Sequence, residues 1–284
     1  MKALKENRAA SFLVVTLIYM IASVIGILIY NLVAMPWWLS LLIADVVATV
    51  VTFLFSVMFD NASVYDPYWS VQPAVILICF AVGKQVTLLS ILLLIVVLLW
   101  AIRLTANWAY TFSNLMHQDW RYTMLKDKTG ALYPLINFFG IHMVPTLVVY
   151  GCILPAVYAI RNGLTANFGS VNSLLISFIG VVIQGVADVQ MHRFRKHPTG
   201  TFIRTGLWHH SRHPNYLGEI MMWWGIALSV LCTAPEVWYL MVGAVANTVL
   251  FLAVSIPMAD GRQSQKEGFD EYKKHTRMLL PIKK

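Results

Sequence analysis

The sequence predicts an all-α fold: a polytopic transmembrane bundle of about eight helices, with both termini in the cytoplasm. Three observations predict it. The chain of 284 residues is 58% hydrophobic and only 12% charged, roughly half the charged share of a soluble domain. So few charges cannot cover a water-facing surface, and lipid must be the main solvent. Apolar runs recur along the whole chain, near the roughly 20 residues a helix needs to cross a bilayer, so residues 1–284 read as a single membrane domain. The basic residues, finally, gather in a few loops instead of spreading over one soluble face.

The first predicted helix, Ser11–Tyr30, follows Lys2, Lys5 and Arg8. A secretory signal would also begin this way, but the run is long and lacks a small-residue cleavage site, which makes it a helix. Trp37–Met58 opens on a tryptophan pair and carries Asp45 at mid-span. Trp69–Val82 is short and contains Pro73, as a tilted or partly re-entrant helix would. Val86–Trp108 ends in RLTANW, with Arg103 inside the apolar run. Phe138–Ile160 and Val171–Met191 follow, the second ending in DVQMHRFR. Tyr216–Leu231 is led in by Pro214, which suits a helix start. Val237–Ile256 is the eighth, and a polar, basic tail runs from Pro257 to Lys284. In the tail, Phe269, Tyr272 and Leu279 suggest an amphipathic segment docked on the cytoplasmic face, or a plain surface anchor.

The positive-inside rule tests this order. With the N-terminus inside, 19 of the 21 Lys and Arg residues fall in cytoplasmic segments, and only Lys84 and Arg161 do not. If Trp69–Val82 failed to span, every later loop would invert and the agreement would vanish. Seven spans is therefore the second choice.

Several classes of function are set aside. The net charge of +8 is explained by topology and calls for no nucleic acid. Cys79, Cys152 and Cys232 lie in apolar runs without metal-ligand spacing and read as small buried hydrophobes. HExxH, GxGxxG, the P-loop, paired CxxC and Gly-x-Ser-x-Gly are all absent, so neither a soluble-type dinucleotide fold nor a metal is expected. The tryptophans at 37, 38, 69, 100, 108, 208 and 238 sit near helix ends, as an interfacial belt does.

Four clusters can carry chemistry. The run GLWHHSRHPNYLGE, Gly206–Glu219, packs Arg212, His213, Asn215, Tyr216 and Glu219 into eight positions. Asn215 and Glu219 share one helical face and can grip a carboxamide or ribose hydroxyls; Arg212 and His213 can meet phosphates. The bland alternative is a basic interfacial loop with a helix cap. Gln184, Asp188 and Arg195 fall on one face of the sixth helix; the alternative is an Asp188–Arg195 or Asp188–His192 bridge. In NASVYDPYWS, Asp66 sits among Tyr65, Tyr68 and Trp69, where a carboxyl can hold its proton and donate it, unless Asp-Pro merely marks a turn. Arg103, Asn107, Asp119 and Arg121 can serve a ligand, although snorkelling suffices for Arg103. Asp45 is a functional candidate by its depth, or pairs with a polar group such as Asn247. His142 reads as a satisfied core histidine.

GLWHHSRHPNYLGE followed by WWGIAL resembles the C-terminal signature of the steroid 5-alpha-reductase superfamily, and more narrowly its bacterial branch of uncharacterised membrane proteins, the DUF1295 group. FDEYKKHTRMLLP, the Asp188-to-Arg195 stretch DVQMHRFR, and RLTAN with DWRY are similar to the same branch. The likeness covers most of the chain and is strongest after Phe178. Sterol C14 and C24(28) reductases share a similar RHPNYxGE element. The resemblance implies NADPH in a cytoplasm-facing cavity of the C-terminal helices (138–284), along Gln184, Asp188, Arg195, Asn215 and Glu219, with Arg212, His213 and Tyr216 in the same element. The N-terminal helices (1–137) would line the pocket of a hydrophobic, lipid-like substrate. Hydride would pass to the beta-carbon of an enone whose carbonyl is polarised by an acid–tyrosine pair, here Asp66 with Tyr65 or Tyr68. The expected location is a bacterial inner membrane. Two departures stand out: the eukaryotic enzymes have a glutamate as the acid, and MADGRQSQKEG replaces their histidine- and tyrosine-bearing stretch. Two rival functions remain. One is an S-adenosylmethionine-dependent methyltransferase of the isoprenylcysteine type, which shares RHPxY but is disfavoured by Asn215 and Glu219. The other is a non-catalytic lipid- or sterol-binding protein.

Overall fold

In lipid the backbone must satisfy its own hydrogen bonds, and a helix does so within one segment. The computed structural model describes residues 2–281 and is helical throughout, with no strand among the described residues. Lys283 and Lys284, counted above among the basic residues, lie outside it, as does the Lys2 side chain. The main helices are α1 (Arg8–Leu32), α2 (Trp37–Met58), α3 (Tyr68–Ala81), α4 (Leu88–Thr111), α5 (Val144–Arg161), α6 (Phe168–Lys196), α7 (Pro214–Leu231) and α8 (Val242–Leu250). α5 is entered through a π-helical stretch, Ile136–Met143, and α8 is flanked by 3-10 and π turns.

Among the described residues, six stretches are long and apolar enough to cross a membrane: Arg8–Leu32, Trp37–Met58, Leu88–Thr111, Trp120–Arg161, Phe168–Lys196 and Pro235–Gln263. The other two expected spans are weaker by that measure. α3 has 14 residues, about 21 Å at helical rise against a hydrocarbon core of about 30 Å. α7 has 18 residues and carries Asn215 and Glu219. Caps set the starts: Asn7 Oδ1 accepts from the Ala10 amide, and Asn167 with Ser170 forms a reciprocal capping box at α6.

The chain divides into two compact units. Unit 1 takes the chain as far as Cys79 together with Leu104–Tyr150. Its core joins Val15, Ile18, Tyr19 and Ala22 of α1 to Ala48 of α2 and to Val64, Tyr65, Tyr68, Phe112 and Leu115. The turn that bears Asp66 is pinned on several sides. Asn61 caps it through Ser63 and donates to the Leu115 and His117 carbonyls. Tyr19 donates to the Val64 carbonyl (2.6 Å), and the Asp119 amide donates to Ser63 Oγ (2.8 Å).

Unit 2 holds Phe80–Arg103 and the chain from Gly151 onward. α6 and α7 pack closely because glycines remove side chains from the contact. A Cβ on Gly218 would collide with the Gly180 carbonyl and the Gln184 side chain, and one on Gly225 with Ser177 and Ser173. Gly243 meets the Gly151 backbone in the same way. The tail docks as an amphipathic segment: Phe269 is buried against Phe202, Tyr272 donates to the Trp208 carbonyl, and the Arg212 amide donates to the Arg277 carbonyl (3.0 Å).

Two expectations fail here. Of the cysteines only Cys152 is buried; Cys79 and Cys232 are exposed on the protein surface, where lipid can cover an apolar position as well as a core does. Trp100 is no belt residue. It is fully buried, because its indole N–H has an acceptor inside the unit.

Candidate functional site

The polar residues of unit 2 converge on Glu219, one turn into α7 and 4% exposed. Trp100 Nε1 donates to Oε2 (2.8 Å) and Trp223 Nε1 to Oε1 (2.8 Å). Arg103 approaches Oε2 at 3.6 Å and pairs with Asp188 at 2.9 Å. It also donates to the Gln184 side-chain oxygen Oε1. Arg103 therefore does not snorkel, and Asp188 makes its salt bridge to it rather than to Arg195: α4 brings the cation to the face that α6 and α7 present. Three side chains named from the sequence, Gln184, Asp188 and Glu219, thus meet around one guanidinium. Arg195 does not join them and is exposed near the end of α6.

Three polar atoms of this region remain open, Arg103 Nε among them. Gln184 Nε2, a donor, and Asn215 Oδ1, an acceptor, are buried without a hydrogen-bond partner. Buried polar atoms are rarely left so. A carboxamide or a ribose hydroxyl offers the complement of both. Glu219 is different: its oxygens already face the two indoles and Arg103.

Arg212 and His213 are also occupied. Arg212 donates to Asp260 (2.9 Å) and to the Thr276 carbonyl (2.6 Å), and His213 Nε2 donates to Asp260 Oδ1 (2.9 Å). Tyr216 stacks on His213, with ring centroids 5.2 Å apart. Asp260 lies in MADGRQSQKEG, the stretch the sequence reading set aside, and its carboxylate ties the motif to the tail. Arg193, Arg195, Lys196 and Arg204 are exposed and available.

In unit 1 the tyrosine on Asp66 is Tyr122, whose hydroxyl donates to Oδ1 at 2.5 Å. Neither expected neighbour fills that place. Tyr65 shares a hydrogen bond with Thr146 (2.7 Å), and Tyr68 is buried with its hydroxyl beside Thr49. Adjacent residues in a 3-10 turn point apart, whereas Tyr122 reaches Asp66 from the short helix Trp120–Thr129, which Asp119 caps. Burial raises the Asp66 carboxyl to about 6, against the opposing pull of Arg121 and Tyr122. Arg121 itself chelates Asp119. His142 Nδ1 donates to the Asn137 carbonyl (2.9 Å), while Nε2 is unpartnered. Asp45 is buried in unit 1 beside Gln72, and Asn247 is buried in unit 2. Unit 1 also contains an apolar cleft of about 490 Å³, with Thr16, Tyr19, Pro67, Val71, Val75 and Trp108 among its walls.

Trp100, Trp223, Asp260 and Tyr122 were not foreseen. Nothing in the sequence signalled the indoles, since Trp100 read as one of the tryptophans near helix ends.

A family model described as "Protein of unknown function (DUF1295)" matches residues 52–276. An uncharacterised protein, C594.04c, of Schizosaccharomyces pombe (strain 972 / ATCC 24843) is 26% identical over 216 residues, 66% of this chain. The chain spans 62% of that relative's length. No solved structure matches.

Proposed function

Because the chain belongs to the DUF1295 family, which is related to the steroid 5-alpha-reductases, we propose that it is an NADPH-dependent membrane reductase. Its reaction is hydride transfer to a carbon–carbon double bond of a lipid-like, steroid-like enone. The observation that supports this most is the open pair in unit 2, Gln184 Nε2 and Asn215 Oδ1, beside the buried Arg103–Asp188–Glu219 cluster. One donor and one acceptor held rigidly suit the amide or sugar of a nicotinamide nucleotide. Bound NADPH would supply the hydride.

The chain's own residues do the rest. Trp100 and Trp223 hold Glu219; Glu219 and Asp188 hold Arg103; Arg103 orients Gln184 so that its amide nitrogen points to the ligand. Arg195 and Arg204 are the candidates for the 2′-phosphate that separates NADPH from NADH. In unit 1 the apolar cleft favours a hydrophobic substrate. Negative charge growing on an enone oxygen needs a preorganised donor. The Asp66–Tyr122 pair can provide one, because a carboxyl titrating near 6 keeps some of its protons at neutral pH. The N-terminal helices then serve the substrate and the C-terminal helices the cofactor, in a cytoplasmic membrane with the basic segments toward the cytoplasm.

The experiment is a thermal-shift titration of the detergent-solubilised chain with NADPH, NADH and S-adenosylmethionine. NADPH should stabilise most. Stabilisation by S-adenosylmethionine alone would make the chain a methyltransferase. Sterol binding with no response to any nucleotide would make it a lipid-binding protein.

A further inference from the structure

Asp119 and Arg121 have no part in the proposed reaction, yet they stand beside its acid. Tyr122 donates its one O–H to Asp66 Oδ1 at 2.5 Å. The tyrosine therefore has no hydrogen left for a substrate oxygen. The proton to be given must sit on the Asp66 carboxyl itself, so Asp66 can act only while it keeps that proton. A cation brought against it would hold it ionised.

Such a cation is close. Arg121 precedes Tyr122 in the chain, and its guanidinium lies over that tyrosine's ring, 5.6 Å from the centroid. Burial lifts the Asp66 carboxyl to about 6; the charge of Arg121 pulls against that lift, and the charge of Asp119 adds to it. Tyr19 from α1 and Tyr65 from the acid's own turn also face Asp66, but a phenol carries no charge near neutral pH. Among the described residues, Arg121 and Asp119 are thus the charges that decide whether Asp66 keeps its proton.

Asp119 engages that cation and builds the frame around it. Its carboxylate accepts from Arg121 Nε (2.8 Å) and Nη2 (3.1 Å), one oxygen for each nitrogen. Two parallel bonds fix a guanidinium in direction as well as in distance. The same carboxylate caps the short helix Trp120–Thr129 by accepting from the Arg121 amide (2.9 Å). Its own amide donates to Ser63 Oγ (2.8 Å), in the turn that leads to Asp66. One residue therefore places Tyr122, ties its helix to the turn of the acid and occupies the neighbouring guanidinium.

We infer that Asp119 is a positioning residue: by pairing with Arg121 and capping the helix that carries Tyr122, it leaves the Asp66 carboxyl facing a tyrosine instead of a guanidinium. The role rests on the acid assigned to Asp66 above. Its test reads protonation and needs neither nucleotide nor turnover, so its failure and that of the reductase reading are separate results.

The purified full-length chain in detergent is titrated while the infrared band of protonated carboxyls is followed. Each variant is compared with its own Asp66→Asn counterpart, so the difference reports Asp66 alone. Asparagine caps a helix about as well as aspartate, so Asp119→Asn removes the charge and keeps the cap. Its midpoint should fall by about one pH unit or more, because Arg121 is then free to turn to Asp66. Arg121→Gln should move the midpoint upward. The double variant lacks both charges and should return to within about half a unit of wild type. A residue that merely supported the fold would lower the melting temperature and leave every midpoint in place. Circular dichroism identifies a variant that does not fold. Arg121→Gln alters a side chain that is 45% exposed, and it keeps the test decisive if Asp119→Asn fails to fold. An Asp119→Asn midpoint that rises, or stays within about 0.3 units of wild type, would overturn the inference. So would an Arg121→Gln midpoint that does not move, or a double variant that stays as low as Asp119→Asn.

Discussion

Glu219→Ala probes the cluster on which the unit 2 site is built. The carboxylate is the acceptor for two buried indole N–H groups, Trp100 and Trp223, at 2.8 Å each. Removing it strands both donors, and each buried donor without an acceptor costs about 1–3 kcal/mol. Arg103 keeps Asp188 and Gln184, so it adds little. The expected loss is about 2–5 kcal/mol, a large part of a typical folding free energy. Glu219→Gln retains one acceptor oxygen and should cost about half as much. The coupling is the sharper test. Trp223→Phe removes one of the stranded donors, so the double variant should be about 1–3 kcal/mol more stable than the sum of the two single losses. Reversible denaturant unfolding of the detergent-solubilised chain, followed by tryptophan fluorescence and circular dichroism, measures both. If Glu219→Ala stays within about 0.5 kcal/mol of wild type, or the pair is additive within that margin, the indoles do not hold the carboxylate and the positioning role assigned to Glu219 is wrong.

Other outcomes follow from the same geometry. Asp66→Asn and Tyr122→Phe should each lower enone turnover about tenfold or more, a loss of about 1.4 kcal/mol in transition-state stabilisation, with NADPH affinity nearly unchanged; wild-type turnover in both would reduce the pair to a structural contact. The folded chain raises the Asp66 carboxyl from 3.8 to about 6, chiefly by burial, so it binds that proton more tightly than the unfolded chain. The resulting stability is full below about pH 4, is lost as pH climbs to about 6, and stays flat above. Discounted for the solvent that reaches Asp66, wild type should lose about 1–2 kcal/mol against Asp66→Asn over that window, and a rise instead would contradict the burial argument. A periplasm-active reporter fused after Lys284 should give no signal; strong activity there would invert the layout deduced from the basic residues.

What the sequence determined by itself was the helical membrane fold, most helix limits to within a few residues, and the side chains worth watching. The reason is local. In lipid an apolar run has few choices but to close its own hydrogen bonds as a helix, and Asn7, Asn167 and Pro214 mark helix starts through contacts within a few residues. Gln184, Asp188, Asn215 and Glu219 were legible for the same reason, since polar groups in an apolar run announce themselves. Their partners were not. Trp100 is 119 positions from Glu219, Tyr122 is 56 from Asp66, and Asp260 is 48 from Arg212. Which of them meet depends on how each helix is rotated and how closely Gly180, Gly218 and Gly225 let α6 and α7 approach. Periodicity places a residue on a face of its own helix but does not say which helix that face will meet. Only the packed structure could therefore show that Arg212 and His213 are spent on Asp260, that Glu219 accepts from two indoles, and that Gln184 Nε2 and Asn215 Oδ1 are left without a partner.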